Sequence, residues 1–117
     1  MPTFTIIVRV ELHKDDARTK AHTPDAQEYE TLHAEMHERG FRRFFTTTDD
    51  TLRKLPPGEY RIRQAGDDEE AAQSAALNKA KEAATIATSA KRFSLLVTSG
   101  GNFTSYHLEK IDEDPDA

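Results

Sequence analysis

Hydrophobic and polar positions alternate over Thr3–Leu12, broken only by Ile7. Phe4, Ile6, Val8, Val10 and Leu12 fall on one side of an extended chain, and Thr5, Ile7, Arg9 and Glu11 on the other. Successive strand side chains point to opposite faces, so this spacing predicts a half-buried first strand. From His13 to Thr23 there is no apolar periodicity, and the stretch reads as a mobile polar loop. Helix-start chemistry follows: either Thr23 caps with Pro24 at the first helical position, or Asp25 caps with Glu28 three residues on. The helix predicted from there runs to about His37, with Gly40 as its stop. Tyr29, Leu32 and Met36 share one stripe, His33 borders it, and His37 lies further round.

Aromatic and β-branched residues over Phe41–Thr48 predict a second strand. Its register stays open, because Phe41 and Phe45 share parity with Arg43 whereas Phe44 shares parity with Arg42, which leaves room for a bulge. Asp49 to Gly58 reads as a connection. Glu59 to Gln64 is the third strand, with Tyr60 and Ile62 inward and Arg61 and Arg63 outward. Gly66 leads into four acids, Asp67 to Glu70, where a helix N-terminus favours negative charge. The second helix continues to about Ala87 with a small-residue stripe of Ala76, Leu77, Ala80, Ala83, Ala84 and Ala87. Arg92 to Thr98 is a fourth strand. Ser99 to Asn102 is a turn, and Phe103 to Leu108 a shorter fifth strand in a hairpin with the fourth.

This order, β-α-β-β-α-β with a further strand, predicts an α+β fold: a ferredoxin-like two-layer sandwich of sheet order 4-1-3-2 with both helices on one face. One domain over residues 1–111 is expected, followed by an acidic, disordered tail over residues 112–117. The other sheet face is left open or buried in a partner, so a homodimer through that face or the C-terminal strand belongs to the expectation.

Composition narrows the chemistry. The 117 residues include no cysteine, which removes disulfides, thiolate nucleophiles and cysteine-ligated zinc. No apolar run approaches the roughly 20 residues that span a bilayer, and the first ten residues lack the features of a leader. A cytoplasmic protein without a membrane partner is therefore expected. The formal net charge is −5, but Asp112, Glu113, Asp114 and Asp116 carry four of those charges, leaving −1 for residues 1–111.

Several groupings carry residue types suited to chemistry. His33 and His37 stand at i and i+4, a spacing that can share a metal, but Glu35 lies about 200° from His33 around the helix and no third ligand is identifiable. The plainer reading packs His33 at the core border and leaves His37 solvated. His13, Asp15, Asp16 and His22 can hold a divalent cation or simply solvate a loop. Asp49-Asp50 reads better as a turn. Neither a metal nor a cofactor is expected. Arg9, Arg61 and Arg63 project from the face opposite the core on neighbouring strands, and Arg42 or Arg43 joins them according to register, with Arg43 preferred. Such a face can contact the phosphates of RNA.

The pattern Tyr29-x-x-Leu32-His33-x-x-Met36-x-x-x-Gly40-Phe41, followed by Leu55-Pro56 and Glu59-Tyr60, resembles the GhoS family and its small prophage-encoded relatives. These are the antitoxin endoribonucleases of type V toxin–antitoxin systems. The resemblance runs roughly from Phe4 to Thr98 and rests on packing motifs. It implies a ferredoxin-like endoribonuclease that binds and cleaves a specific messenger RNA without a metal. In that setting Arg9, Arg43, Arg61 and Arg63 hold RNA and His33 is the candidate acid–base catalyst. Related nucleases carry an aspartate at the end of the first strand, where this chain has Glu11 and Leu12. The alternative from another class is a non-catalytic, dimeric binding module.

Overall fold

A computed structural model describes residues 1–21, 26–100 and 104–117. Its elements are β1 (Thr3–Leu12), α1 (Gln27–Glu38), β2 (Phe44–Thr46), β3 (Leu52–Lys54), β4 (Glu59–Ala65), α2 (Glu69–Ala87), β5 (Phe93–Ser99) and β6 (Lys110–Ile111). The fold is α+β, with two helices and two small antiparallel sheets.

Strand β1 spans the whole alternating run, and Ile6, Val8, Val10 and Leu12 are buried. It is the centre of the sheet β4-β1-β5 and is antiparallel to both neighbours. Tyr60 and Ile62 from β4 join its buried face. Against that face lie Tyr29, Leu32 and Met36 of α1 and six alanines of α2: Ala72, Ala76, Ala80, Ala83, Ala84 and Ala87. Methyl-sized side chains let α2 approach the strands closely, and this is how a chain of modest apolar content covers one sheet face. Leu77, expected in the stripe, is only half-buried.

Helix ends follow local chemistry. Asp68 caps α2, its carboxylate accepting the Ala71 N–H at 2.8 Å. Helix α1 starts at Gln27 with Ala26 at the N-cap, which offers no side-chain acceptor. The Thr23 and Asp25 caps expected there lie outside the described residues. At the other end Gly40 has φ +96°, its N–H donates to the His37 carbonyl at 3.0 Å, and the Phe41 N–H donates to the Met36 carbonyl at 3.0 Å. This is the paired closure of a Schellman turn. Gly58 matters for proximity: at φ +83° a Cβ there would lie 2.7 Å from the Val10 carbonyl oxygen, and the Gly58 carbonyl accepts the Val10 N–H at 2.7 Å.

Four expectations are corrected: the second strand, the connection over Asp49–Gly58, the fifth strand and the mobile loop. Phe41–Thr48 does not add a continuous fourth strand beside β4. Arg42 exchanges two backbone hydrogen bonds with Arg61, both 2.8 Å, and the chain then diverges so that Phe44–Thr46 pairs with Leu52–Lys54. The latter shows no alternation and reads as connection in the sequence, yet it takes the edge of β2 and makes a second sheet, β2-β3-β6. Residues 104–108 do not form a strand with β5; Arg53 donates to the Leu108 carbonyl and the Lys54 N–H to the Glu109 carbonyl, so β3 supplies the partners. Phe103 and the glycine-asparagine part of the turn lie outside the described residues. The polar stretch after β1 is tied down as far as Ala21. Asp15 accepts the Thr19 and Lys20 N–H groups at 2.9 and 3.1 Å, and Arg18 donates to the Lys91 carbonyl at 2.7 Å. In residues 112–117, Asp114 and Asp116 meet cations of the body. Among the described residues no helix is long and apolar enough to cross a membrane.

Candidate nucleic-acid interface

The face of the β4-β1-β5 sheet turned away from the helices carries the outward residues of all three strands. In register, Thr5 stands beside Arg63, Ile7 beside Arg61 and Arg9 beside Glu59 on one side, while Ile7 faces Thr98 and Arg9 faces Leu96 on the other. Arg9, Arg61 and Arg63 therefore share one surface, as their parity implies. Arg9 is exposed. Arg63 is held by the Thr5 and Thr3 hydroxyls at 2.5 and 2.8 Å. Arg61 is half-buried, and its Nε has no hydrogen-bond partner among the described residues. Burial, together with the Arg63 charge, lowers its pKa from the ordinary arginine value. Arginine stays cationic in proteins all the same.

A cleft of about 390 Å³ opens on this face. Ile7, Glu59 and Thr98 form its floor, with Leu55, Pro56 and residues of the 104–108 segment around it. Tyr106, on its rim, is 82% exposed and stacks on His107 with ring centroids 3.8 Å apart. Sequence reasoning missed this pair because it placed Tyr106 within a strand; the aromatic-histidine dipeptide beside a Gly-Gly-Asn turn was the available signal.

Arg43 does not join the arginine face. Phe41, Arg43 and Phe45 have inward parity, with Phe41 and Phe45 buried, so the second strand's register resolves without the outer placement assumed for Arg43. Its guanidinium instead donates through Nε and Nη2 to the two carboxylate oxygens of Asp116, each at 2.7 Å. Arg42, of the opposite parity, donates to the His37 and Phe41 carbonyls and approaches Asp114 at 3.4 Å.

His33 belongs to the helical side of the sheet. Its Nδ1 is 2.7 Å from the Tyr60 hydroxyl, and its ring lies between those of Tyr29 and Tyr60 at 6.3 and 5.8 Å. Burial, helped by the Arg43 charge, lowers its pKa to about 4. Burial also raises the Tyr60 hydroxyl pKa well above its ordinary value. A neutral imidazole bonded to a neutral phenol is a packing arrangement. Because Tyr60 points into the core and Arg61 out of it, His33 and the arginine face are separated by the sheet.

The remaining sequence candidates have local partners. His37 Nε2 meets Asp114 at 2.9 Å, so His33 and His37 turn to different neighbours. Asp15 organises its turn, and Asp16 pairs with Arg92 at 2.8 Å. Both carboxyls have lowered pKa values, the first through the Thr19 hydroxyl and the second through Arg92. Asp49 accepts the Thr47 hydroxyl in the turn before β3. His22 lies outside the described residues. Among the described residues no three His, Asp or Glu side chains converge as a metal site.

One juxtaposition was not legible in the chain. His13, 4% exposed, brings Nε2 within 3.1 Å of the Ser94 hydroxyl and 3.6 Å of Glu11 Oε1. Cross-strand pairing of Glu11 with Ser94 creates it. Both contacts use the same nitrogen and His13 Nδ1 has no hydrogen-bond partner among the described residues, so no acid orients the ring as a nucleophile–base pair requires.

Compared with protein-family models, curated proteins and solved structures, the chain matches none.

Proposed function

We propose that this chain is an RNA-binding protein of the GhoS-like kind, with a ferredoxin-like build, that holds single-stranded RNA on its outer sheet face and cuts it. The observation that carries the reading is the grouping of Arg9, Arg61 and Arg63 on one face of neighbouring strands. Phosphates meet the guanidinium groups, and a base enters the cleft over Ile7 or stacks on Tyr106. The ferredoxin-like part is supported by β1 lying between two antiparallel neighbours, and by the Arg42–Arg61 bridge on the far side of β4. RNA on this face does not reach His33.

The test is a salt series of anisotropy measurements with a labelled single-stranded oligoribonucleotide. Each phosphate contact removed lowers the magnitude of the log K against log salt slope by about 0.7, so R9Q/R61Q/R63Q lowers it by about 2. Equal slopes in the triple variant and the parent would rule out the face. Incubation of nuclease-free protein with a panel of transcripts in EDTA tests cutting; intact RNA at high protein excess removes the nuclease half of the reading.

A second reading has its own observation. Among the described residues strand β5 pairs on one side only, with β1, and its own outward-facing Leu96 is 61% exposed. A non-catalytic homodimer through this edge would bury both. Sedimentation as a monomer across the micromolar range would exclude it.

A further inference from the structure

Residues 112–117 reach the body without an apolar anchor, through two carboxylates. Asp116 is engaged by the Nε and Nη2 donors of one edge of Arg43, each at 2.7 Å, where the two side chains are 10% and 14% exposed. Asp114 meets His37 Nε2 at 2.9 Å and Arg42 Nε at 3.4 Å, and its other oxygen accepts the Asp116 N–H at 2.9 Å.

The receiving groups are built into the body. Arg42 is braced by the His37 and Phe41 carbonyls at 3.0 and 2.8 Å, and Arg43 leaves the inward side of the chain next to buried Phe41. A half-buried guanidinium stripped of its partner is a strong demand for another oxyanion. The planar fork fits two oxygens of a phosphate as well as two of a carboxylate.

We propose that Arg43, Arg42 and His37 form a binding site for a terminal phosphate group, a phosphate monoester, and that Asp114 and Asp116 occupy it as a competitor within the same chain. A phosphate monoester presents three terminal oxygens, one more than a mid-strand phosphodiester, which suits a guanidinium fork with a further cation and an imidazole beside it. An intramolecular competitor acts at an effective concentration on the order of millimolar. The intact protein therefore binds phosphate weakly, and freeing the site strengthens binding.

The probe is inorganic phosphate, followed by NMR through the backbone amides and the His33 and His37 ring signals. In D114N/D116N the phosphate affinity should rise at least tenfold over the intact chain, and R43Q added to that variant should abolish it. In the intact chain, rising phosphate should shift the amides of residues 112–117 away from their docked positions; this arm serves even where the double variant fails to fold. No displacement in the intact chain, or an affinity in D114N/D116N no higher than the parent's, overturns the proposal. A 5′-phosphorylated oligoribonucleotide that gains more from D114N/D116N than its 5′-hydroxyl counterpart identifies an RNA end as the source; equal gains identify free phosphate. The inorganic phosphate arms do not depend on Arg9, Arg61 or Arg63, so failure of the outer-face reading and failure of this site are distinguishable.

Discussion

His33 shows how a residue type that suggests catalysis is decided by its surroundings. Next to Tyr60 and half-buried, it has a pKa of about 4 against an ordinary 6.5. The unfolded chain therefore takes up this proton first as pH falls. Between about 6.5 and 4 the unfolded state holds more protons, so His33 contributes stability that is fully present above the unfolded value and is lost as pH drops toward 4. In an NMR titration the His33 ring should change with a midpoint near 4; a midpoint near 6.5 would contradict the buried arrangement. Gly40 gives a second residue-scale expectation. At φ +96° it closes α1, and any Cβ there strains the turn. Gly40→Ala should cost about 1 kcal/mol, read as a lower urea midpoint with unchanged m-value. That glycine could be read from the chain, because a helical stripe stops just before it. The partners of Arg43 could not, since Asp116 lies 73 positions away.

Among the elements, those with strong periodicity were legible and those without it were not. Strand β1 and helix α2 each carry their instructions locally, in alternation and in an alanine stripe behind an acidic first turn. The short strands β2, β3 and β6 are only two or three residues long and are defined by which hydrogen-bonding edge is free, which no local pattern records. Small residues on α2 set its distance from the sheet. Ala80 is fully buried there, so Ala80→Leu inserts volume into a filled space. It should destabilise the protein by about 1–3 kcal/mol in denaturant unfolding, whereas the same change at exposed Ala71 should be nearly neutral.

For the molecule as a whole, two basic regions lie on different parts of one small fold. Arg9, Arg61 and Arg63 share the outer sheet face, whereas Arg42 and Arg43 turn to the end of α1 and to residues 112–117. Effects at sites without shared partners add. Combining R9Q/R61Q/R63Q with D114N/D116N should therefore leave the phosphate gain of the second set intact while removing the salt-dependent RNA binding of the first. Loss of both in the combined variant would mean that they form one site. The sequence by itself determined the parity of β1 and β4, hence the common face of three arginines, and it determined both helices and the α1 stop. Those features depend on neighbours within a few residues and on the period of the backbone. Only the tertiary structure decided that Arg43 faces inward, that His33 is across the sheet from the other arginines, that Ser94 meets His13, and that the acidic segment docks. Each of these depends on long-range pairing between groups of opposite charge or hydrogen-bonding sense, and on which strand edge is left free. Periodicity says which way a side chain points, and distant chain packing decides what it meets.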